Sequence, residues 1–423
     1  MDIQNFSALF NTPARREAFL KLIEDNKTKH IFIQGLEGSS IALFFSNLLE
    51  HKQAHILIAN DLDEAGYLYN DLVQINGNDH ILLFPSGYKR DIKYGQPDPP
   101  SEILRTEVLN RLCQKGESLL IVTYPEAIAE KVVPVNMLSE QTLHIDKNSK
   151  CDIITLSDKL RERGFEEVDY VYEPGQFAVR GSILDVFSYT NELPYRIDFF
   201  GKEVESIRTF EVETQLSTGK LEEVYIVANV CGQEASGISI LDFIDKNTIL
   251  ICHNLSWVID RISAIASESL SEQTLIAEEG DRYAMQKIID VTAFQKKITT
   301  FRRIDYGANS EANTPAVIRF NCAPQGVYHK NFDLVSQSFS QFIEKGYTLY
   351  ILSDSEKQIE RLQAIFEERG DSISFTPVLK TLHEGFIDND LKIGCFTDHQ
   401  IFDRFHKYTL KSEHARSGKL ALS

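Results

Sequence analysis

The segment between residues 137 and 228 interrupts an otherwise alternating helix–strand pattern, and this interruption most limits the folds open to the chain. A helix-period stretch at 156–163 is followed by short apolar runs separated by turn-forming residues. The runs lie at 167–172, 176–180, 182–187, 195–200 and 202–210. Turns as tight as those at Gly181 and Gly201 join antiparallel strands, because parallel strands need a long crossover. The pattern predicts an inserted antiparallel α+β domain over 137–228.

Residues 1–136 alternate apolar runs with helix-period segments, as is typical of a parallel α/β sheet. Four or five consecutive apolar residues in a run favour strands that are covered on both faces. The predicted strands are 30–34, 55–59, 80–84 and 118–123, and the predicted helices are 14–25, 39–50, 61–75 and 101–113. The stretch 86–100 is rich in Pro, Gly and Asp and predicts a surface loop.

The alternation resumes after the insert. A strand at 248–252 and helices at 254–267 and 281–300 predict the return of the first α/β domain over 229–313. A further small α/β domain is expected over 314–423. Its predicted strands are 317–320, 347–353, 373–378 and 392–396, and its predicted helices are 330–345 and 355–369. The predicted fold is a multidomain α/β protein whose parallel-sheet domain carries an antiparallel α+β insert and is followed by another α/β domain.

A glycine-rich turn between the first strand and the next helix resembles a P-loop. Backbone N–H groups of such a turn hold phosphates at a helix N-terminus. The residues concerned are Gly35, Gly38, Ser39, Ser40, Ile41 and Ala42. With Gly35 as the first glycine, Ile41 takes the place of the phosphate-binding lysine and Ala42 that of the Mg²⁺-ligating hydroxyl. We therefore expect a degenerate P-loop that binds no nucleotide.

The charge balance limits the kinds of partner. Forty-four Lys and Arg residues against 62 Asp and Glu residues give a net charge of −18. This disfavours a stand-alone nucleic-acid-binding protein, which needs a basic surface, and it permits protein partners. The basic cluster Lys296, Lys297, Arg302 and Arg303 fits either DNA contact or a solvated helix end.

Signatures of catalysis are weak. The sequence has no GxSxG, HExxH, GxGxxG or CxxC motif. The carboxylates of Asp185, Asp198, Glu203 and Glu205 could hold Mg²⁺ in a nuclease, although the usual lysine is missing. Alternating carboxylates on exposed strands are more often simply solvated. No residue is assigned as catalytic or as a metal ligand.

Two predicted strands of the insert each carry an arginine beside aromatic residues. Arg180 and Arg196, if on adjacent strands, would present two planar guanidinium groups on one face, which suits carboxylates on a protein partner. Internal pairing is the alternative, for example between Arg196 and Asp185 or Asp198. The pattern leaves both interpretations open.

The stretches RGFEEVDYVYEPGQFAVRG (163–181) and ELPYRIDFF (192–200) closely resemble the bacterial transcription-repair coupling factor family and the corresponding module of UvrB. The resemblance implies a UvrB-like region whose insert binds the excision-repair protein UvrA. It assigns that role to Arg180, Arg196 and Phe200. It also implies recruitment of UvrA to stalled RNA polymerase, by a chain that is not itself an enzyme.

The resemblance also sets what we expect to lie elsewhere. The uncapped end of the sequence suggests a chain cut from a longer one. RNA polymerase and DNA contacts, together with ATP and Mg²⁺, are expected only in motor and polymerase-binding domains beyond residue 423. Alternatives are a UvrB-like DNA-handling ATPase and a metal-dependent nuclease. The sequence has no apolar run near 18 residues and no signal-peptide pattern at its start. Its six cysteines form no CxxC pair and several lie in apolar runs, as buried free thiols do, so we expect a reduced, cytoplasmic protein.

Overall fold

The computed structural model describes residues 1–25, 27–87, 98–114, 116–147, 149–191, 193–229, 237–273, 288–308 and 316–404. Three predicted segments lie partly outside these ranges: the loop 86–100, the helix 281–300 and the last domain beyond residue 404. Across the described ranges, the helices are too short or too polar to cross a bilayer.

Seven described strands, all parallel, form the main sheet in the order β15-β1-β14-β13-β2-β4-β3. They are β1 (His30–Gln34), β2 (Ala54–Ile58), β3 (Ile81–Leu83), β4 (Leu119–Thr123), β13 (Ile249–Cys252), β14 (Arg302–Gly307) and β15 (Ala316–Arg319). Because strands from both sides of the insert share this sheet, the two flanking stretches fold as one unit. The predicted parallel α/β sheet is confirmed.

Helices lie between these strands and around the sheet. In chain order they are α1 (Ile3–Phe10), α2 (Pro13–Glu24), α3 (Ser40–Phe45), α4 (Leu62–Asn76), α5 (Pro99–Cys113), α6 (Pro125–Ala129), α7 (Val135–Glu140), α8 (Ile153–Glu162), α9 (Ile240–Phe243) and α10 (Leu255–Gln273), followed by Val291–Ile298. The predicted helix 39–50 is shorter than expected, because α3 ends at Phe45 and a 3₁₀ turn continues over Ser46–Glu50.

The insert forms its own six-stranded sheet in the order β11-β10-β9-β8-β7-β6. Its strands are β6 (Glu166–Glu167), β7 (Gln176–Arg180), β8 (Ile183–Val186), β9 (Tyr195–Phe200), β10 (Glu203–Phe210) and β11 (Ser217–Leu221), and a separate antiparallel pair joins β5 (Thr142–Asp146) to β12 (Glu223–Val227). Neighbours from β7 to β11 are antiparallel, as predicted. One face packs on α8, where Leu156 and Leu160 join a common core with Phe177 and Ile197.

The predicted strand 167–172 is wrong. Only Glu166 and Glu167 extend the sheet, and they pair parallel to β7. The chain then leaves the sheet edge, and Val171 packs in a small cluster with Phe187 and Phe210 on the sheet's other face.

The last unit contains a mixed five-stranded sheet in the order β16-β19-β20-β17-β18. Its elements are β16 (Cys322–Pro324), β17 (Thr348–Leu352), β18 (Thr376–Val378), β19 (Phe386–Asp388) and β20 (Ile393–Thr397), with helices Phe332–Glu344, Glu356–Glu368 and Asp398–Ile401. The predicted strand 317–320 does not belong here. It corresponds to β15, which pairs parallel with β1 at the edge of the main sheet.

The last unit packs directly onto the main unit through α1. The Phe6 ring lies 5.1 Å from that of Tyr350, and the Phe10 ring meets Phe386 edge-on at 5.3 Å. The N-terminal amine donates to the carbonyl of Pro377 at 3.0 Å. One hydrophobic core therefore continues from the main sheet into the last unit.

The basic cluster is split between two elements. Lys296 and Lys297 lie in the last turn of the helix Val291–Ile298, as the solvated-helix interpretation expects. Arg302 and Arg303 instead begin β14, a strand inside the main sheet. Arg302 donates to the carbonyl of Ile23 at 2.7 Å and to other carbonyls at the end of α2. The interpretation of these two arginines as a helix end is therefore wrong.

Candidate functional site

The insert's sheet has an outward face built around arginines. Cross-strand partners place their side chains on the same side of a sheet, and alternate residues of a strand do the same. Asp185 on β8 is opposite Arg196 on β9, which in turn is opposite Arg208 on β10. Asp185 is also opposite Ala178, two residues before Arg180 on β7. We call the surface formed by Arg180, Asp185, Arg196, Asp198, Phe200 and Arg208 the arginine face.

Asp185 lies at the centre of the arginine face and is only 1% exposed. Arg196 donates from Nε to Oδ1 and from Nη2 to Oδ2, both at 2.8 Å. Arg180 donates from Nη2 to the same carboxylate from the opposite side. Arg180 and Arg196 are thus separated by β8 rather than lying on adjacent strands, yet they meet on one face. The predicted pairing of Arg196 with Asp185 is confirmed.

The Arg196 side chain is fixed by contacts with Asp185, Gln215 and Phe210. Beyond Asp185 it donates to the carbonyl of Gln215 at 3.0 Å, and its guanidinium lies 4.3 Å from the centre of the Phe210 ring. Only 13% of the side chain is exposed. The hydrogen bonds to Asp185 raise the pKa of Arg196, so the group is a permanent cation at the centre of the face.

Arg180 is more accessible, with 35% of its side chain exposed. Its guanidinium lies 5.0 Å from the centre of the Tyr170 ring. Its Nε and Nη1 groups have no hydrogen-bond partner within the described ranges. Arg180 also borders a shallow depression lined by Glu167, Val168, Asp169, Tyr170 and Val179. A partner's carboxylate could therefore reach the free side of this guanidinium.

Phe200 lies at the end of β9 and is 79% exposed. Arg196, Asp198 and Phe200 alternate along the strand, so all three belong to the arginine face. Phe200 follows Arg196 by four positions, which corresponds to about 13 Å along the strand. An exposed aromatic ring near a set of guanidinium groups resembles the anchors of protein interfaces.

Arg208 is a member of the face that sequence reasoning missed. It donates from Nη2 to Asp198, which also accepts a hydrogen bond from the Ser206 hydroxyl at 2.7 Å. The register of β10 shifts between Val204 and Ser206, so simple alternation along the strand assigns its side chains to the wrong faces. Because the bulge is a property of the strand pairing, no local sequence pattern indicated this arginine.

The carboxylates proposed for a nuclease do not converge on a metal position. Asp185 is taken by Arg180 and Arg196, and Asp198 is taken by Arg208. Within the described ranges there is no group of three or more His, Cys, Asp or Glu side chains arranged to hold a metal ion.

The glycine-rich turn after β1 bends at Gly35 and Gly38, whose φ angles are 82° and 53°. The last unit fills the space in front of it. Ser39 N–H donates to the carbonyl of Glu384 at 3.2 Å, and a Cβ built on Gly38 would lie 2.8 Å from the carbonyl oxygen of Gly385. Ala42, at the position of the hydroxyl residue, is fully buried in the core. The backbone of Glu384 and Gly385 therefore lies directly against the glycine-rich turn.

A buried carboxylate, that of Asp71, links the glycine-rich turn to the residues of the last unit that pack against it. Asp71 on α4 accepts hydrogen bonds from the Ser39 hydroxyl at 2.5 Å and from the His383 N–H at 2.7 Å. Glu384 N–H donates to the same Ser39 hydroxyl at 2.9 Å. Burial raises the pKa of Asp71 to about 7, although the Ser39 and His383 hydrogen bonds act in the opposite direction. Asp71 and Ser39 thus join the glycine-rich turn to the last unit.

Residues 143–230, which contain the six-stranded sheet and its arginine face, match the family described as the UvrB interaction domain. This match covers both stretches that carried the resemblance, which is thereby confirmed.

Over most of its length the chain is similar to transcription-repair-coupling factors. The relative from Staphylococcus aureus is 22% identical over an alignment of 460 positions. The alignment covers 91% of this chain and 39% of the relative. The relative from Staphylococcus epidermidis is 20% identical over an alignment of 444 positions, which covers 89% of this chain and 37% of the relative. The chain thus spans about two fifths of the length of these curated relatives.

Proposed function

We propose that this chain is the UvrA-binding part of a transcription-coupled DNA repair factor. The arginine face carries the proposal, because it lies within the segment that matches the UvrB interaction domain. It combines a partly free guanidinium at Arg180 with an exposed aromatic ring at Phe200. Such a combination fits a protein partner that presents carboxylates beside an apolar pocket.

The partner-binding residues in this proposal are Arg180, Arg196 and Phe200, in unequal roles. Arg180 and Phe200 are accessible and would touch UvrA directly. Arg196 is largely enclosed and would act by holding the centre of the face. The negative charge of the whole chain supports a protein partner over DNA at this surface, because phosphate recognition needs an excess of Lys and Arg.

In the complete protein, we propose, UvrA is brought to stalled RNA polymerase. The polymerase and DNA contacts, with ATP and Mg²⁺, would belong to the part of the relatives that this chain does not cover. We propose a cytoplasmic site of action. The glycine-rich turn would bind no nucleotide, since residues 383–385 fill it and Ile41 and Ala42 replace the phosphate- and Mg²⁺-binding side chains.

The decisive variant is Arg180→Glu, tested for binding of the chain to the UvrA of the same genome by isothermal titration calorimetry. Asp185 keeps its bidentate partner Arg196 in this variant, so the sheet should stay folded. Reversing both arginines would leave Asp185 buried without a cation and would confuse unfolding with loss of binding. We expect at least about a tenfold weaker complex, because a like charge then faces the partner's carboxylates.

Lys159→Glu is the matched control. Lys159 is an exposed residue of α8, on the opposite side of the insert's sheet, and its reversal makes the same change in net charge. It should leave UvrA affinity unchanged. Equal affinities for wild type and Arg180→Glu would refute the site.

A further inference from the structure

Asp185 is the point at which the arginines of β7 and β9 meet. It is an acidic, almost fully buried side chain whose two oxygens accept from Arg196 while one of them also accepts from Arg180. We propose that Asp185 is a positioning residue for UvrA recognition: it fixes the guanidinium of Arg180 in its binding orientation and does not itself touch the partner. This inference rests on the proposed function of the arginine face.

Two contacts fix the plane of the Arg180 guanidinium. Nη2 is held by Asp185, and the ring of Tyr170 lies 5.0 Å from the guanidinium carbon. The Nε and Nη1 groups have no hydrogen-bond partner within the described ranges. An arginine already ordered in this way loses less side-chain freedom when a partner binds, and preorganisation of this kind increases affinity.

Asp185 is itself immobilised by Arg196. The bidentate pair fixes both carboxylate oxygens, and the carbonyl of Gln215 fixes the far side of Arg196 at 3.0 Å. A chain of hydrogen bonds thus runs from the loop after β10, through Arg196 on β9 and Asp185 on β8, to Arg180 on β7, and it restricts the orientation of Arg180. Through this chain the enclosed Arg196 would contribute to UvrA affinity without touching UvrA.

A double-mutant cycle between Asp185→Asn and Arg180→Gln tests the inference, with UvrA affinity measured by calorimetry. If Asp185 acts through Arg180, Asp185→Asn weakens binding about tenfold in the wild-type background and less than about twofold in the Arg180→Gln background. Equal losses in both backgrounds would overturn the inference, since a general structural effect does not depend on Arg180. Tighter binding by Asp185→Asn would also overturn it, because Asp185 would then compete with the partner for the guanidinium.

Tyr170→Leu provides the second arm if Asp185→Asn lowers the melting temperature strongly. Tyr170 is 49% exposed, so its replacement should leave the fold intact while removing the other contact that orients Arg180. The same cycle with Arg180→Gln should show the same coupling. Failure of Arg180→Glu to weaken binding would refute the proposed binding site, whereas a binding loss in that variant with additive cycles would refute only the positioning role.

Discussion

The guanidinium of Arg15 donates two hydrogen bonds to the carboxylate of Asp388, at 2.6 Å and 3.3 Å, and the Asp388 side chain is wholly inaccessible to solvent. Arg15 belongs to α2 and Asp388 to β19, so the pair joins the main unit to the last one. The guanidinium also stacks over the rings of Phe10 and Phe320. A buried cation–carboxylate pair therefore lies inside the continuous core between the two units.

Removing one partner of this pair should be costly. Among the described residues, Arg15→Ala leaves the buried Asp388 carboxylate with the N–H groups of Asp390 and Leu391 as donors, and we expect a loss of about 3 kcal/mol in the free energy of unfolding. Chemical denaturation measures it. Arg16→Ala is the matched control, because its pair with Glu50 is exposed and should contribute less than about 1 kcal/mol. Similar losses in both variants would contradict the buried pair's importance.

Phe200→Ala should weaken UvrA binding without destabilising the sheet. The ring is exposed in the free chain, so its removal should change the melting temperature very little. Loss of an aromatic anchor at an interface typically costs about 2 kcal/mol or more, which calorimetry would detect as roughly a thirtyfold weaker complex. Ile154→Ala, an exposed apolar residue on α8, is the control. A Phe200→Ala chain that binds UvrA like wild type would exclude this ring from the interface.

The strands of the main sheet could be predicted because each buried run is continuously apolar, as in the stretch that became β4. β14 could not, since its start at Arg302 and Arg303 reads as a charged helix end. The structure shows why the charges are tolerated: Arg302 satisfies carbonyls at the end of α2, and Arg303 pairs with Asp305 of the same strand. Local sequence does not show that the carbonyl partners of Arg302 lie 277 to 280 residues earlier in the chain.

The arginine face, too, could be predicted from the sequence only in part. Alternation along β9 places Arg196 and Phe200 on one face, but the bulge in β10 concealed Arg208. The filling of the glycine-rich turn could not be predicted at all. Ser39 and Glu384 are 345 residues apart in sequence, and only the packing of the last unit brings them together.

The stability of the contact between the two units should depend on pH through Asp71. Its pKa is raised to about 7 in the folded protein from an ordinary value of 3.8, chiefly by burial, and the nearby Glu384 carboxylate adds to the effect. A raised carboxyl pKa gives stability that is complete below the ordinary value and is lost as pH rises through the folded-state value. From pH 5 to pH 7 the loss is about 2 kcal/mol in total, because the slope of about 1.4 kcal/mol for each pH unit falls to half at the folded-state pKa.

Asp71→Asn should remove this dependence, because the amide is neutral at every pH and can still accept from the His383 N–H. The stability of the variant relative to wild type should therefore increase as pH is raised from 5 to 8, in parallel urea titrations. A difference between the two chains that stays constant over this range would show that Asp71 does not change protonation there.

ATP should not stabilise this chain. A ligand that binds only the folded state raises the melting temperature, and at a hundred times its dissociation constant it adds about 2.7 kcal/mol. The backbone of residues 383–385 already lies against the glycine-rich turn, and Ile41 and Ala42 offer neither the cation nor the hydroxyl that phosphates and Mg²⁺ need. Thermal unfolding with millimolar ATP and Mg²⁺ should match that with Mg²⁺ alone. An ATP-dependent rise in the melting temperature that is lost in Gly38→Val would show instead that the turn opens and binds nucleotide, as the alternative of a DNA-handling ATPase requires.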